Sequence, residues 1–172
     1  RASKMKRVAR FEKVSRARFE ADWQKVFGRE AGAVYDAISL PVRATAGSAG
    51  YDFKAPCDIT LPPGTSVCIP TGIRVWIEEG WTLMLYPRSG LGVRYRLQLN
   101  NTVGIIDSDY YAAENEGHIL ITLTNNSNEG KTLCLTQGDG FAQGVFTEFG
   151  ITVEDAASAK RSGGFGSTDQ KK

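Results

Sequence analysis

The chain has 172 residues, 41% hydrophobic and 23% charged, with a formal net charge of +2. That length fits a single domain with one substantial core, and no apolar run is long enough to cross a bilayer as a helix. So small a charge gives no reason to expect direct contact with nucleic acid or a membrane, and the three cysteines, Cys57, Cys68 and Cys134, lack metal spacing and read as buried free thiols.

In chain order, the sequence opens Arg1-Ala-Ser-Lys4 before Met5, the first plausible natural start, so residues 1–4 are set aside. No apolar leader follows, and the expected compartment is the cytoplasm. Basic residues crowd the first eighteen positions (Lys4, Lys6, Arg7, Arg10, Lys13, Arg16, Arg18), which reads as a solvated helical face with a frayed end in preference to a polyanion site. Phe19, Trp23, Val26 and Phe27 recur at i, i+4, i+7 and i+8, one apolar stripe of a helix that Ser15 is suited to cap. Val34–Ile38 adds a turn or two before Pro41 stops it. Residues 5–40 are therefore expected to form an N-terminal helical extension.

After Pro41 the pattern changes to short strands between turns. Pro62-Pro63-Gly64, Glu79-Gly80, Asn128-Glu129-Gly130 and Gly138-Asp139-Gly140 punctuate Ser66–Ile69, Ile73–Ile77, Thr82–Tyr86, Ile119–Thr124, Thr132–Thr136 and Gln143–Phe146. These runs are rich in β-branched and aromatic residues, and their close spacing predicts an all-β sandwich, jelly roll or barrel over residues 41–155. From Ala156 to Lys172 the chain is small, polar and glycine-rich, the composition of a mobile C-terminal arm.

Five segments place polar groups where chemistry could use them. Ala49-Gly50-Tyr51-Asp52-Phe53 sets an acid beside a glycine just before a strand, although a plain turn looks the same. Pro87-Arg88-Ser89-Gly90-Leu91 offers a guanidinium, a hydroxyl and backbone N–H groups, the donors that hold phosphate oxygens; a β-turn with a surface arginine is the plainer reading. In Asn101-Thr-Val-Gly104-Ile105-Ile106-Asp107-Ser-Asp109-Tyr110, Asp107 follows an apolar pair, so its carboxylate is expected at the rim of the core, where its surroundings set its strength as a base. Gly138-Asp139-Gly140-Phe141-Ala142-Gln143 turns into a strand, with Gln143 able to hold a water. Arg161-Ser162-Gly163-Gly164-Phe165-Gly166-Ser167-Thr168 has a cation, hydroxyls and a lone aromatic between glycines, which a tail without a binding role has little use for.

In this order and spacing the five segments resemble the five motifs of the trimeric dUTPase family, over about residues 40–168. The longer stretch Asp109–Ile119 and the N-terminal extension resemble members from Gram-positive bacteria and their phages. The resemblance implies a distorted jelly-roll β-barrel and a homotrimer with shared active sites, each covered by a C-terminal arm. It also implies Mg²⁺-assisted hydrolysis of dUTP to dUMP and pyrophosphate, which limits uracil incorporation into DNA and supplies dUMP for thymidylate synthesis.

Roles are implied position by position. Asp107 matches the carboxylate that activates the attacking water and binds the sugar 3′-hydroxyl, and Gln143 matches a residue that fixes this water. Tyr110 matches the ring beneath deoxyribose. Arg88, Ser89 and Gly90 match the phosphate-binding turn. Asn101, Gly104, Ile105 and Ile106 match the uracil-reading hairpin, closed by Leu120. Arg161 corresponds to a γ-phosphate ligand. Phe165 corresponds to the aromatic lid over the base, with Gly166 and Ser167 as further substrate contacts. Asp52 matches an acid that supports the metal through water.

Three departures stand out. Phe141 replaces the usual arginine of the fourth motif, the third motif is longer than usual, and Lys160 stands where the arginine of the fifth often falls. Two rivals share the scaffold. A dCTP deaminase resembles a pattern with a glutamate three residues before Asn125, where this chain has Thr122. The other is a phage-borne regulator that binds a protein partner.

Overall fold

The structure, a computed structural model, describes residues 4–163. Its N-terminal segment begins with a strand: β1 (Ala9–Lys13) pairs antiparallel with β6 (Ile73–Ile77), from Ala9 opposite Ile77 to Lys13 opposite Ile73. The helical extension expected over 5–40 thus holds only from Ser15 onward. Arg10 and Lys13 lie on this strand, not on a helical face; Arg10 sits 5.5 Å from the Trp76 ring centre and Lys13 donates to the Tyr35 carbonyl at 2.8 Å.

Helix α1 (Arg16–Phe27) starts as its sequence dictates. The Ser15 hydroxyl accepts from the Arg18 N–H at 3.1 Å, satisfying one donor that the first turn leaves unpaired. Phe19 and Trp23, one turn apart, are fully buried and form a second small core with Val14 and Ala31. A single helical turn, α2 (Val34–Ala37), follows.

The rest is mostly strand: β2 (Val42–Arg43), β3 (Tyr51–Lys54), β4 (Ile59–Leu61), β5 (Ser66–Pro70), β6, β7 (Trp81–Pro87), β8 (Leu97–Leu99), β9 (Gly104–Ile106), β10 (Leu120–Asn125), β11 (Leu133–Leu135) and β12 (Gly140–Glu148). The strands form a five-stranded sheet in the order β2-β3-β12-β7-β9, a three-stranded sheet β5-β10-β8, and two pairs, β4-β11 and β1-β6. This is a jelly-roll-like, all-β architecture. Period-two burial drives it: along β10, Ile121, Leu123 and Asn125 point inward while Leu120, Thr122 and Thr124 are half-exposed. The inward sets meet in one core that includes Phe53, Ile69, Val75, Leu83, Ile106 and Phe141.

The cysteines are free, but less buried than their neighbours suggested. Cys57 and Cys68 are half-buried, and Cys134 lies on the outer face of β11. Phe141 sits in a bulge where β12 slips against β3, between Gly140 opposite Lys54 and Ala142 opposite Phe53. The extra residue turns the ring into the core, where it is fully buried and where an arginine would leave a charge without water.

Candidate active site

The end of β7 leads directly into α3 (Ser89–Tyr95), so the Arg88 segment expected as a turn is the start of a short helix with Arg88 at its cap. The first amides of such a helix have no partner within it and face outward as donors. They line a cavity of about 750 Å³ together with Arg88, Ser89, Gly90, Asp52 and Gln143. Asp52, on β3, is buried and lies 3.3 Å from the Arg88 guanidinium; Gln143, opposite it on β12, donates to the Pro87 carbonyl at 3.2 Å. Backbone approaches closely here. A side-chain carbon at Gly140 would stand 2.6 Å from Arg88 Nη1, and one at Gly50 would overlap Gln143 Oε1.

A second, more apolar slot of about 280 Å³ lies between the β8–β9 hairpin and β10. Asn101, Gly104, Ile106 and Leu120, which the resemblance assigns to one hairpin and its closing strand, line it together, while Ile105 points to solvent. The hairpin tip is tight: Thr102 has φ of 69° and Val103 N–H bonds the Asn101 carbonyl at 2.8 Å. Cys68, Leu99 and Thr122 also line the slot, although none of them belongs to the five sequence segments. Thr122 follows from Leu120 by the two-residue repeat of a strand, a signal that was present in the sequence.

Asp107 leaves the end of β9 half-exposed, and the chain then enters a 3₁₀ turn, Ser108–Ala112. Tyr110 in that turn is almost wholly buried, so its ring belongs to the core edge. Its hydroxyl donates to the His118 carbonyl at 2.7 Å and accepts from Asn115 Nδ2 at 2.9 Å; burial raises the phenol above its ordinary range and keeps it neutral. Arg161 reaches back over this turn, donating to Asp107 at 2.6 Å and Asp109 at 2.8 Å, with its guanidinium 5.9 Å from the Tyr110 ring centre. Nothing in the local sequence points to Asp109 as a partner of Arg161, since the two stand 52 positions apart.

The candidate residues thus fall into two groups. Asp52, Arg88, Ser89, Gly90 and Gln143 share one cavity, while Asn101, Gly104, Ile106 and Leu120 line the other, with Asp107 and Tyr110 following β9 and Arg161 reaching back onto Asp107. Phe165, Gly166 and Ser167 lie outside the described residues. Within one chain the groups stand apart. Ile106 pairs with Leu83, which sets Asp107 level with Thr82, six residues along β7 from Arg88. At about 3.3 Å per residue that is roughly 20 Å.

The fold places the chain among the jelly-roll-like all-β proteins. The dUTPase family model matches residues 36–169, and the chain belongs to the dUTPase family. It is 39% identical over 134 residues to the deoxyuridine 5'-triphosphate nucleotidohydrolase of Lactococcus lactis subsp. lactis, covering 76% of this chain and 88% of that protein. Among solved structures, the dUTPase from Streptococcus mutans superposes with a TM-score of 0.59 at 37% identity, covering 68% of this chain and 90% of that one. A mutant dUTPase from phage phi11 of S. aureus, whose structure describes the coordination of a structural Mg(II) ion, shares the fold with a TM-score of 0.62 at 20% identity, over 89% and 98% of the two chains.

Proposed function

We propose that this chain hydrolyses dUTP to dUMP and pyrophosphate, with Asp107 drawing a proton from the water that attacks the α-phosphorus. The observation that carries this reading is the position of Asp107 on the β8–β9 hairpin, one residue beyond the last strand residue lining a slot of about 280 Å³. A uracil ring fits such a slot, and fixed backbone groups of the hairpin read its edge. A site built for uracil leaves buried polar groups unpaired with cytosine, at about 1–3 kcal/mol each.

The phosphates belong with Arg88, Ser89 and Gly90, whose donors match their oxygens. A phosphate chain that contacts both Arg88 and the Asp107-held water needs each within about 3 Å, and one chain holds them far apart. We therefore assign Arg88 to a second chain and the slot to the first, within the homotrimer that the resemblance to trimeric dUTPases implies. Tyr110 packs beneath deoxyribose, Gln143 steadies the water, and Arg161 leaves Asp107 for the γ-phosphate once nucleotide is present.

The donor set fits magnesium carried mainly by the substrate. Among the described residues no three His, Cys, Asp or Glu side chains converge to cage an ion, and the buried Asp52 already faces Arg88. Magnesium typically keeps several waters and takes one or two carboxylates plus phosphate oxygens, which suits Asp52 acting through water. When bound, it would offset charge on the phosphates. The chain acts without membrane attachment, in the cytoplasm.

Pyrophosphate release from dUTP, with and without Mg²⁺, tests the reading. Release that depends on magnesium is expected. Ammonia from dCTP in place of pyrophosphate from dUTP would overturn it.

A further inference from the structure

The N-terminal segment touches the turn that carries Tyr110 at three points. Glu12 on β1 bonds the Tyr111 hydroxyl, and Arg74, its register partner on β6, donates to the Tyr111 carbonyl at 2.6 Å while stacking 3.7 Å from that ring's centre. Ser15 gives both its N–H and its hydroxyl to the Glu116 carboxylate, at 2.9 and 2.6 Å. Asp22 on α1 meets His118 Nδ1 at 2.6 Å.

His118 is the joint. It has no exposed surface, and its Nε2 accepts from the Gly72 N–H at 2.9 Å, so Nδ1 carries the proton that Asp22 accepts. With both ring nitrogens engaged, the residue cannot rotate without breaking one bond. Its own carbonyl receives the Tyr110 hydroxyl, and Asn115, whose carbonyl accepts the His118 N–H at 3.2 Å, holds the same hydroxyl from the other side. Gly117 allows the turn to close, because a side chain there would stand 2.6 Å from the Tyr110 carbonyl.

We propose that Asp22, acting through His118, is a positioning residue that fixes the Tyr110 ring against the sugar of the bound nucleotide. The inference rests on the reading of Tyr110 as the sugar-contacting ring, and it gives the N-terminal helix a part in substrate binding rather than in packing alone. A ring tethered only at its backbone would tilt within its pocket; one also held at its hydroxyl presents a single face. Asp22 touches no substrate, so its contribution passes wholly through the histidine and the tyrosine.

The test compares full-length wild type, Asp22→Ala, Tyr110→Phe and the double variant by dUTP kinetics and thermal unfolding. Asp22→Ala is expected to lower kcat/KM about tenfold, chiefly through KM. The double variant should fall no more than about twofold below the worse single, because both changes cut one line of contacts. Asp22→Asn, which keeps an acceptor for Nδ1, should lose only about threefold and carries the same comparison if the alanine variant does not fold. A contact that only stabilises would lower the melting temperature and leave kcat/KM unchanged well below it. That result, or losses that multiply in the double variant, overturns the proposal. Absence of dUTP turnover in wild type would instead sink the functional reading.

Discussion

Asp107 sits half-exposed with Arg161 as its counter-ion at 2.6 Å. Removing its charge should spare binding and damage chemistry. Asp107→Asn is expected to hold nucleotide affinity within roughly tenfold while turnover falls by at least about 10²-fold; titration with a non-hydrolysable dUTP analogue beside single-turnover rates would show it. Gly50 is a sharper probe of the cavity proposed for the phosphates. Its missing side chain leaves room for the Gln143 amide, so Gly50→Ala must push that amide aside. We expect kcat/KM to drop at least about tenfold with the melting temperature within about 4 °C, the shift of roughly 1 kcal/mol in a domain of this size. Equal losses of stability and activity would show that the amide serves the fold instead.

The contacts between the N-terminal segment and the Tyr110 turn are largely made by carboxylates, and this gives the elements a dependence on pH. Glu12 is held below its ordinary value of 4.5 by the Tyr111 hydroxyl and Arg10 against a burial cost. For Asp22 burial pushes upward, but His118 and Arg18 together outweigh it and leave the group below 3.8; for Glu116 burial is likewise outweighed by the Ser15 hydroxyl and N–H. A carboxyl depressed in the folded state stabilises fully above its unfolded value and loses that contribution as pH falls through the folded one. The unfolding temperature should therefore fall as pH drops below about 5, and Asp22→Asn should flatten part of that slope in calorimetry.

Some of these elements were plain in the sequence. Ser15, Phe19 and Trp23 carry a cap and a helical stripe that local physics decides. Strand β1 was not, because Arg10, Glu12 and Lys13 interrupt its apolar residues and only pairing with β6, about sixty residues later, makes it a strand. Helix α3 holds Gly90 and Gly92, poor helix formers, and forms through its tertiary setting. Strands β8 and β9 have three residues each, too few for a period to show. Within the candidate site, Asp107 and four residues of the slot, Asn101, Gly104, Ile106 and Leu120, were legible as motifs, whereas Cys68 and Leu99 reach it only through the folding of other strands. The Asp22–His118 contact was not legible, since it joins residues 96 positions apart on different elements.

At the scale of the whole molecule, the proposed roles of Arg88 and Asp107, held apart along β7, require a second chain to complete the site. Arg88→Ala and Asp107→Asn should each be nearly inactive alone. Co-refolded, they should regain part of the wild-type rate, because some mixed trimers would bring an intact Asp107 slot beside an intact Arg88. Sedimentation would confirm the trimer, and a mixture no more active than its components would place the whole site in one chain.

His118 is the one histidine in the sequence, and it has no exposed surface. The molecule therefore carries a built-in chemical reporter. Diethyl pyrocarbonate, which acylates accessible imidazoles, should leave the native protein's histidine untouched, and any adduct found there by mass spectrometry would count the moments when α1 lifts away. Rapid acylation of the undisturbed wild type would show that the helix is not seated as described.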